Sequence, residues 1–179
     1  HFTIQATTAP APKRAYLHEV QPILHGKRIL IVDDNATNRR ILRLHGEAWQ
    51  MLPSESATAA EALQWLAAGE SFDLAILDMQ MPDVDGIELA QMIRRLPAPA
   101  GNLPLVMLTS SGRIDANDYL TLFAAYLTKP IKPSRLFNIL VTIFSGQPIR
   151  IMPQQESPKY LFDHSLGSRL PLRCCCCRR

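Results

Sequence analysis

The stretch RILIVDD at residues 28–34 decides the fold. Its segment Arg28–Val32 is a short, largely apolar run, and two carboxylates follow it directly. Such a run is typical of a strand buried on both faces, because a strand with one solvated face alternates apolar and polar residues. Similar runs follow at FDLAILD (residues 72–78), PLVMLTS (104–110) and AAYLT (124–128), and a weaker strand fits between residues 49 and 56.

Helical patterns separate these strands. They cover residues 37–49, 58–67, 86–96, 115–124 and Pro133–Phe144. Thr58 and Glu61 have the spacing of a capping box, and Pro133 suits a first helical position. The fourth helix is weakly patterned, since Gly112 and Asn117 are poor helix formers. Strands joined by crossover helices are parallel, so the pattern predicts a three-layer, doubly wound α/β fold.

The first helix has an apolar stripe that we expect to face the sheet, formed by Ile41, Leu42, Leu44 and Ala48. Beside it lie three basic residues, Arg39, Arg40 and Arg43. We interpret them as a solvated helix face, and docking of a partner stays open as the alternative.

The composition indicates one globular domain with flanks. Of 179 residues, 47% are hydrophobic and 20% charged, which excludes a largely disordered or collagen-like chain. The net charge of +3 is uneven: residues 28–144 hold ten basic and thirteen acidic residues, whereas the flanks are basic. All four cysteines lie at residues 174–177, so the central block contains no disulfide framework. No apolar stretch reaches the roughly 18 residues of a membrane span.

Polar residues close the predicted strands. Because ligands bind at the carboxyl ends of parallel strands, we expect these residues to meet at one edge: Asp33, Asp34, Asp78, Thr109 and Lys129. Converging carboxylates repel one another, and a hard divalent cation such as Mg²⁺ relieves the repulsion. Asp78 stands alone at the end of a central strand, so it is the best-placed nucleophile toward phosphorus. We expect Mg²⁺ at Asp34, Asp78 and the backbone carbonyl of Gln80, with Asp33 bound directly or through water.

The motifs ILIVDDN, LDMQMPDVDG, VMLTS and YLTKP, in this order and spacing, resemble the receiver domain of two-component response regulators over residues 26–146. The resemblance implies a single flavodoxin-like domain with the strand order 2-1-3-4-5. It implies Asp33 and Asp34 as the acidic pair, Asp78 as the phosphorylation site, and Mg²⁺, for which Mn²⁺ can substitute. It further implies Thr109 as the switch hydroxyl and Lys129 as the phosphate-binding lysine. It also implies a cis peptide between Lys129 and Pro130, and Tyr126 as an aromatic switch. A plain core role for Tyr126 is the alternative.

A finer resemblance is to the receivers of hybrid sensor histidine kinases, carried by DDNATNRRIL, LDMQMP and LTKPIKPSRL. We interpret residues 1–25 as a flexible linker, in which HFTIQ resembles the last strand of a kinase ATP-binding domain. Residues 147–179 resemble a linker toward a second receiver. Its last six residues, CCCCRR, we interpret as a frame-shifted or artificial end. The connection from Thr109 to Lys129 is short for the family, so its helix is expected to be irregular.

These features predict a phosphoacceptor domain rather than an enzyme, cut from a parent histidine kinase whose catalytic core is absent here. The expected partners are a histidine kinase core and a histidine-phosphotransfer domain, in the cytoplasm. We expect no contact with nucleic acid, because the central block is acidic, and none directly with a membrane; membrane anchoring of the parent and weak self-association stay open. The alternatives are a docking or regulatory module that is not phosphorylated, and an Asp-nucleophile phosphatase. The phosphatase class separates its two acids by one residue, whereas Asp33 and Asp34 are adjacent.

Overall fold

The computed structural model describes residues 22–110 and 121–146. Its five strands are β1 Arg28–Val32, β2 Leu52–Ser56, β3 Leu74–Asp78, β4 Leu105–Thr109 and β5 Ala125–Thr128. Its α-helices are α1 Ala36–Ala48, α2 Ala59–Ala67, α3 Gly86–Arg94 and α4 Pro133–Phe144. The strands form one parallel sheet in the order β2-β1-β3-β4-β5, which confirms the predicted doubly wound α/β fold.

Alternate residues of the central strands pack into two separate cores, one on each face of the sheet. Ile29, Ile76 and Leu108 lie in the core that also contains Leu42 of α1 and Leu140 of α4. The opposite core is formed by the intervening strand residues with α2 and α3. The central strands are therefore buried on both faces, which is why their sequences are continuous apolar runs.

Side chains from the preceding loops fix the starts of three helices. Asn35 caps α1 by accepting from the N–H of Thr37 at 2.9 Å, and Asp85 caps α3 by accepting from the N–H of Ile87 at 2.8 Å. The predicted capping box of α2 is only half formed. Thr58 accepts from the N–H of Glu61 at 3.2 Å, but the Glu61 carboxylate bonds the Ser56 hydroxyl at 2.8 Å instead of reaching back to Thr58.

The predicted inward stripe of α1 is partly wrong. Leu42 is buried together with Gly46, but Ile41 and Leu44 are 44% and 49% exposed, and Ala48 is exposed as well. Leu42, Gly46 and Trp49 recur at the spacing of one narrow helix face, and Ile41 and Leu44 fall outside it.

The folded region begins before the predicted boundary at residue 26. Residues 22–26 form a turn in which Leu24 is completely buried, and the N–H of Gly26 donates to the carbonyl of Gln50 at 2.8 Å. Most of the predicted fourth helix, residues 1–21 and the cysteine-containing tail lie outside the described residues; residues 121–124 form a turn. None of the helices in the described part of the chain has the length and apolarity needed to cross a membrane.

Candidate functional site

Four adjacent strands end at the same edge of the sheet. Asp33 and Asp34 follow β1, Asp78 closes β3, Thr109 closes β4 and Lys129 follows β5. Backbone hydrogen bonds continue the sheet past these ends, since the N–H of Met79 donates to the carbonyl of Leu108 and the N–H of Lys129 donates to the carbonyl of Thr109, both at 2.8 Å. The parallel topology thus brings the predicted residues to one edge.

The three aspartates at this edge form one cluster. Each offers a carboxylate oxygen, and these oxygens lie within 4.8 Å of one another. Asp33 and Asp78 are buried, whereas Asp34 is exposed to solvent. A set of closely spaced carboxylate oxygens with one open side matches the ligand preference of Mg²⁺, which takes oxygen ligands and keeps several waters. The donor set therefore fits a hard divalent cation.

Lys129 provides the positive charge of the cluster. Its Nζ lies 2.8 Å from Oδ1 of Asp78 and 3.2 Å from Oδ2 of Asp33. Burial lowers the pKa of Lys129, but the hydrogen bond to Asp78 and the charges of Asp33 and Asp78 outweigh burial and raise that pKa above its ordinary value. Lys129 is thus a protonated donor between two carboxylates. The Lys129–Pro130 peptide is cis.

The negative charge of the Asp78 carboxylate is not fully compensated by the neighbouring groups. Burial, together with the charge of Asp33, raises the pKa of the Asp78 carboxyl. The hydrogen bond and charge of Lys129 and the backbone N–H of Gln80 act in the opposite direction without cancelling that increase. An additional cation at the cluster would favour the carboxylate form.

The first turn of α1 holds Asp33 in place. The N–H of Asn35 donates to Oδ1 of Asp33 at 2.8 Å, and the side-chain amide of Asn38 donates to its Oδ2 at 3.1 Å. Arg39 donates to the backbone carbonyls of Asp33 and Asp34. The contacts of Asn35 and Asn38 were not predicted from the sequence, and the prediction that Arg39 lies on a solvated face is wrong. For Asn35 and Asn38, the available signal was their position two and five residues after Asp33.

Gly86 allows α3 to approach Asp78. A Cβ at Gly86 would overlap the backbone carbonyl oxygen of Asp78, and the N–H of Gly86 donates to the carbonyl of Met79 at 3.1 Å. This role of Gly86 was not predicted from the sequence, although the Asp85-Gly86 pair soon after Asp78 was a signal for it.

A cleft of about 570 Å³ opens beside the cluster. Its lining contains Asp34, Asp85 and the loop residues 79–82, including Gln80. The cleft gives a ligand access to the acidic edge from solvent. The proposed role of the Gln80 carbonyl as a metal ligand stays a prediction.

Thr109 and Tyr126 lie on the same face of the sheet. Thr109 of β4 is buried and lies opposite Thr128 of β5. Two residues earlier in each strand, Met107 lies opposite Tyr126, and residues two apart in a strand share a face. The half-buried Tyr126 ring lies 5.3 Å from the Phe123 ring, and burial raises the pKa of its hydroxyl. Tyr126 is therefore packed in the α2/α3 layer and outside the acidic cluster.

Comparisons with known proteins agree on one protein family. A model of the response regulator receiver domain matches residues 29–141. The chain is 37% identical over 110 residues to the transcriptional regulatory protein ResD of Bacillus subtilis, a match that covers 59% of this chain and 43% of that protein. It is 32% identical over 176 residues to the sensor protein GacS of Pseudomonas syringae, covering 88% of this chain and 19% of GacS. The chain thus spans less than half the length of either relative.

Among solved structures, the chain resembles the receiver domain of the sensor histidine kinase PA1611 from Pseudomonas aeruginosa, whose active site cleft coordinates a magnesium ion. The two share 25% identity with a TM-score of 0.60, covering 68% of this chain and 99% of that domain. Together with the sheet order and the clustered strand-end residues, these matches establish that the chain belongs to the response regulator receiver domain family.

Proposed function

We propose that this domain accepts a phosphoryl group on Asp78 from a phosphohistidine and changes conformation in response. The observation that carries the proposal is the position of Lys129, whose Nζ contacts both Asp78 and Asp33 within a cluster of three carboxylates. An ammonium group beside a nucleophilic carboxylate remains available to a phosphoryl oxygen once that carboxylate is modified.

In the proposed transfer, a carboxylate oxygen of Asp78 attacks phosphorus and forms a P–O bond. The P–N bond to the donor breaks, its electron pair stays on the imidazole nitrogen, and that nitrogen takes up a proton from solvent. Lys129 donates to a phosphoryl oxygen, as does the hydroxyl of Thr109 at the end of the neighbouring strand. The inward turn of Tyr126 stays part of this proposal as the conformational readout.

We assign the metal site to Asp33, Asp34, Asp78 and the backbone carbonyl of Gln80. When bound there, Mg²⁺ would neutralise the repulsion among the carboxylates and the charge of the phosphoryl oxygens. Asn35, Asn38 and Lys129 hold the Asp33 carboxylate between them. Mn²⁺, which also accepts oxygen ligands, is the proposed substitute.

The test uses a small phosphodonor such as phosphoramidate with Mg²⁺, and intact-mass spectrometry as the readout. We expect one added phosphoryl group that hydroxylamine removes, as for an acyl phosphate, and none with Asp78→Asn or with excess chelator. Asp83→Asn is the matched control, because Asp83 is an exposed aspartate of the following loop and asparagine tolerates its left-handed backbone at φ 67°. Modification of Asp78→Asn at the wild-type rate would refute the assignment. Folded wild-type protein that no phosphodonor modifies would favour the docking module.

We further propose that the parent protein is a hybrid sensor histidine kinase with its receiver in the cytoplasm. The match to the sensor protein GacS supports this assignment because it covers 88% of the chain, which is more than the receiver itself. The cysteine-free central block suits a reducing compartment. The proposed partners are the kinase core and a histidine-phosphotransfer domain, and a transfer assay with purified phosphohistidine domains distinguishes them.

A further inference from the structure

Arg39 makes a pair of contacts that the proposed chemistry does not use. Its Nη1 donates to the backbone carbonyl of Asp33 at 2.6 Å and to that of Asp34 at 3.0 Å. The last backbone bond that this part of the chain makes toward β2 is from the N–H of Asp33 to the carbonyl of Ser56. Beyond that bond, the guanidinium holds the two peptide groups that carry the acidic pair.

The Arg39 side chain is in turn held by an ion pair with Glu55 of β2. Its Nε lies 3.7 Å from Oε2 of Glu55, whose Oε1 contacts Nε of Arg43 at 2.6 Å. The Arg39 side chain is only 17% exposed, so its orientation is restricted by packing as well as by charge. The neighbouring Arg40 is exposed and makes no ion pair with the described part of the chain.

From this geometry we propose that Arg39 is a positioning residue, which presets the Asp33–Asp34 backbone for the divalent cation. The inference rests on the metal site of the proposed function. Two effects of Arg39 oppose each other: a positive charge near the acids repels a cation, while a fixed backbone reduces the cost of ordering the ligands. Glu55 reduces the repulsion between Arg39 and a cation, and we expect the ordering effect to exceed the repulsion that remains. Groups that orient metal ligands typically change metal affinity by about 10-fold or more when removed.

The experiment titrates the folded protein with Mg²⁺ alone and follows the backbone amide signals of Asp34 and Asn35 by NMR. We expect Arg39→Gln to weaken Mg²⁺ binding by about 10-fold, whereas Arg40→Gln, the matched control, binds like wild type. In the metal-free protein, Arg39→Gln should also accelerate hydrogen exchange at the N–H of Asn35, which donates to Asp33. A merely structural role would lower the melting temperature without this local change.

Wild-type Mg²⁺ affinity in Arg39→Gln would overturn the inference. If that variant does not fold, Arg39→Lys provides the same test, because a lysine lacks the planar fork that is anchored by Glu55. We then expect weaker Mg²⁺ binding by Arg39→Lys, and equal binding would overturn the inference. Failure of the proposed metal site gives a different result from failure of the Arg39 inference. In that case wild type would not bind Mg²⁺, or Asp34→Asn would bind Mg²⁺ as well as wild type does.

Discussion

Lys129 Nζ lies 2.8 Å from Oδ1 of Asp78, and this contact joins the end of β5 to the end of β3. The strand between them, β4, ends at Thr109, so the ion pair spans the strand that carries the proposed switch hydroxyl. The same ammonium also contacts Asp33, which follows β1. One lysine thus links the ends of three strands, and we expect its contacts to change when Asp78 is modified or a cation binds.

Removal of Lys129 should destabilise the metal-free domain. Lys129→Met leaves two buried carboxylates without their cation, and loss of one partner of a buried ion pair costs on the order of 3 kcal/mol. We expect Lys129→Met to lower the free energy of urea unfolding more with chelator present than in saturating Mg²⁺, where the cation compensates the carboxylate charges. Lys132→Met, at an exposed lysine three residues on, should change little. Equal losses with and without Mg²⁺ would contradict the proposed metal site.

A methyl group at Gly86 should displace the end of β3. In Gly86→Ala the new Cβ meets the backbone carbonyl of Asp78, which cannot rotate away as a side chain would, and such overpacking costs about 1–3 kcal/mol. Gly46→Ala in α1 is the control, because its Cβ meets the end of the Ile29 side chain at 3.1 Å, and alanine is the better helix former. We expect Gly86→Ala to lower both the unfolding midpoint and the phosphorylation rate. Unchanged values would show that α3 shifts without affecting Asp78.

The stability of the domain should depend on the protonation of His45. Burial lowers the pKa of this histidine, which stacks on Trp49 with ring centroids 5.6 Å apart. The unfolded chain then binds more protons than the native state, so this contribution is complete above the unfolded pKa of about 6.5 and is lost as the pH falls below it. Unfolding midpoints of wild type and His45→Gln, compared from about pH 7.5 to about pH 5.5, measure the difference. Parallel pH profiles for the two proteins would contradict the prediction.

Arg94 should stabilise the segments that lead into β4 and β5. Its guanidinium donates to the carbonyls of Gly101 and Leu103, which precede β4, and to that of Leu122, which precedes β5, and thereby joins the end of α3 to both segments. Because Arg94→Met leaves carbonyl groups without their charged donor, we expect the free energy of unfolding in urea to fall by about 3 kcal/mol.

Hydrogen exchange gives a local measurement of the same effect. The N–H of Ala124, which donates to the carbonyl of Leu105 at 2.8 Å, should exchange faster in Arg94→Met. Arg95→Met is the matched control at the next position, where the side chain is exposed. The role of Arg94 would be refuted if both variants exchanged alike.

Four of the five strands were predictable because each is a local apolar run, whereas β2 (Leu52–Ser56) is largely polar and only weakly patterned. The observed bounds differ from the predicted ones by a few residues at most. β3 begins at Leu74 rather than at residue 72, since the Asp73 carboxylate accepts from the N–H of Arg28 and pairs with Lys27. The bounds of α4 match the prediction, because Pro133 marks its start. The exposure of Ile41 and Leu44 was not predictable, since the width of the buried face depends on how α1 lies on the sheet.

The residues that end the strands can be identified from the order of apolar runs and polar residues along the chain. Parallel topology then requires five of them to share an edge: Asp33, Asp34, Asp78, Thr109 and Lys129. The contacts within that edge, in contrast, depend on how the elements pack in three dimensions. Arg39 binds backbone carbonyls, which every residue possesses, so no sequence pattern marks its partners. The approach of Gly86 to Asp78 likewise depends on the distance between α3 and β3, which is fixed by packing of the core that contains α3.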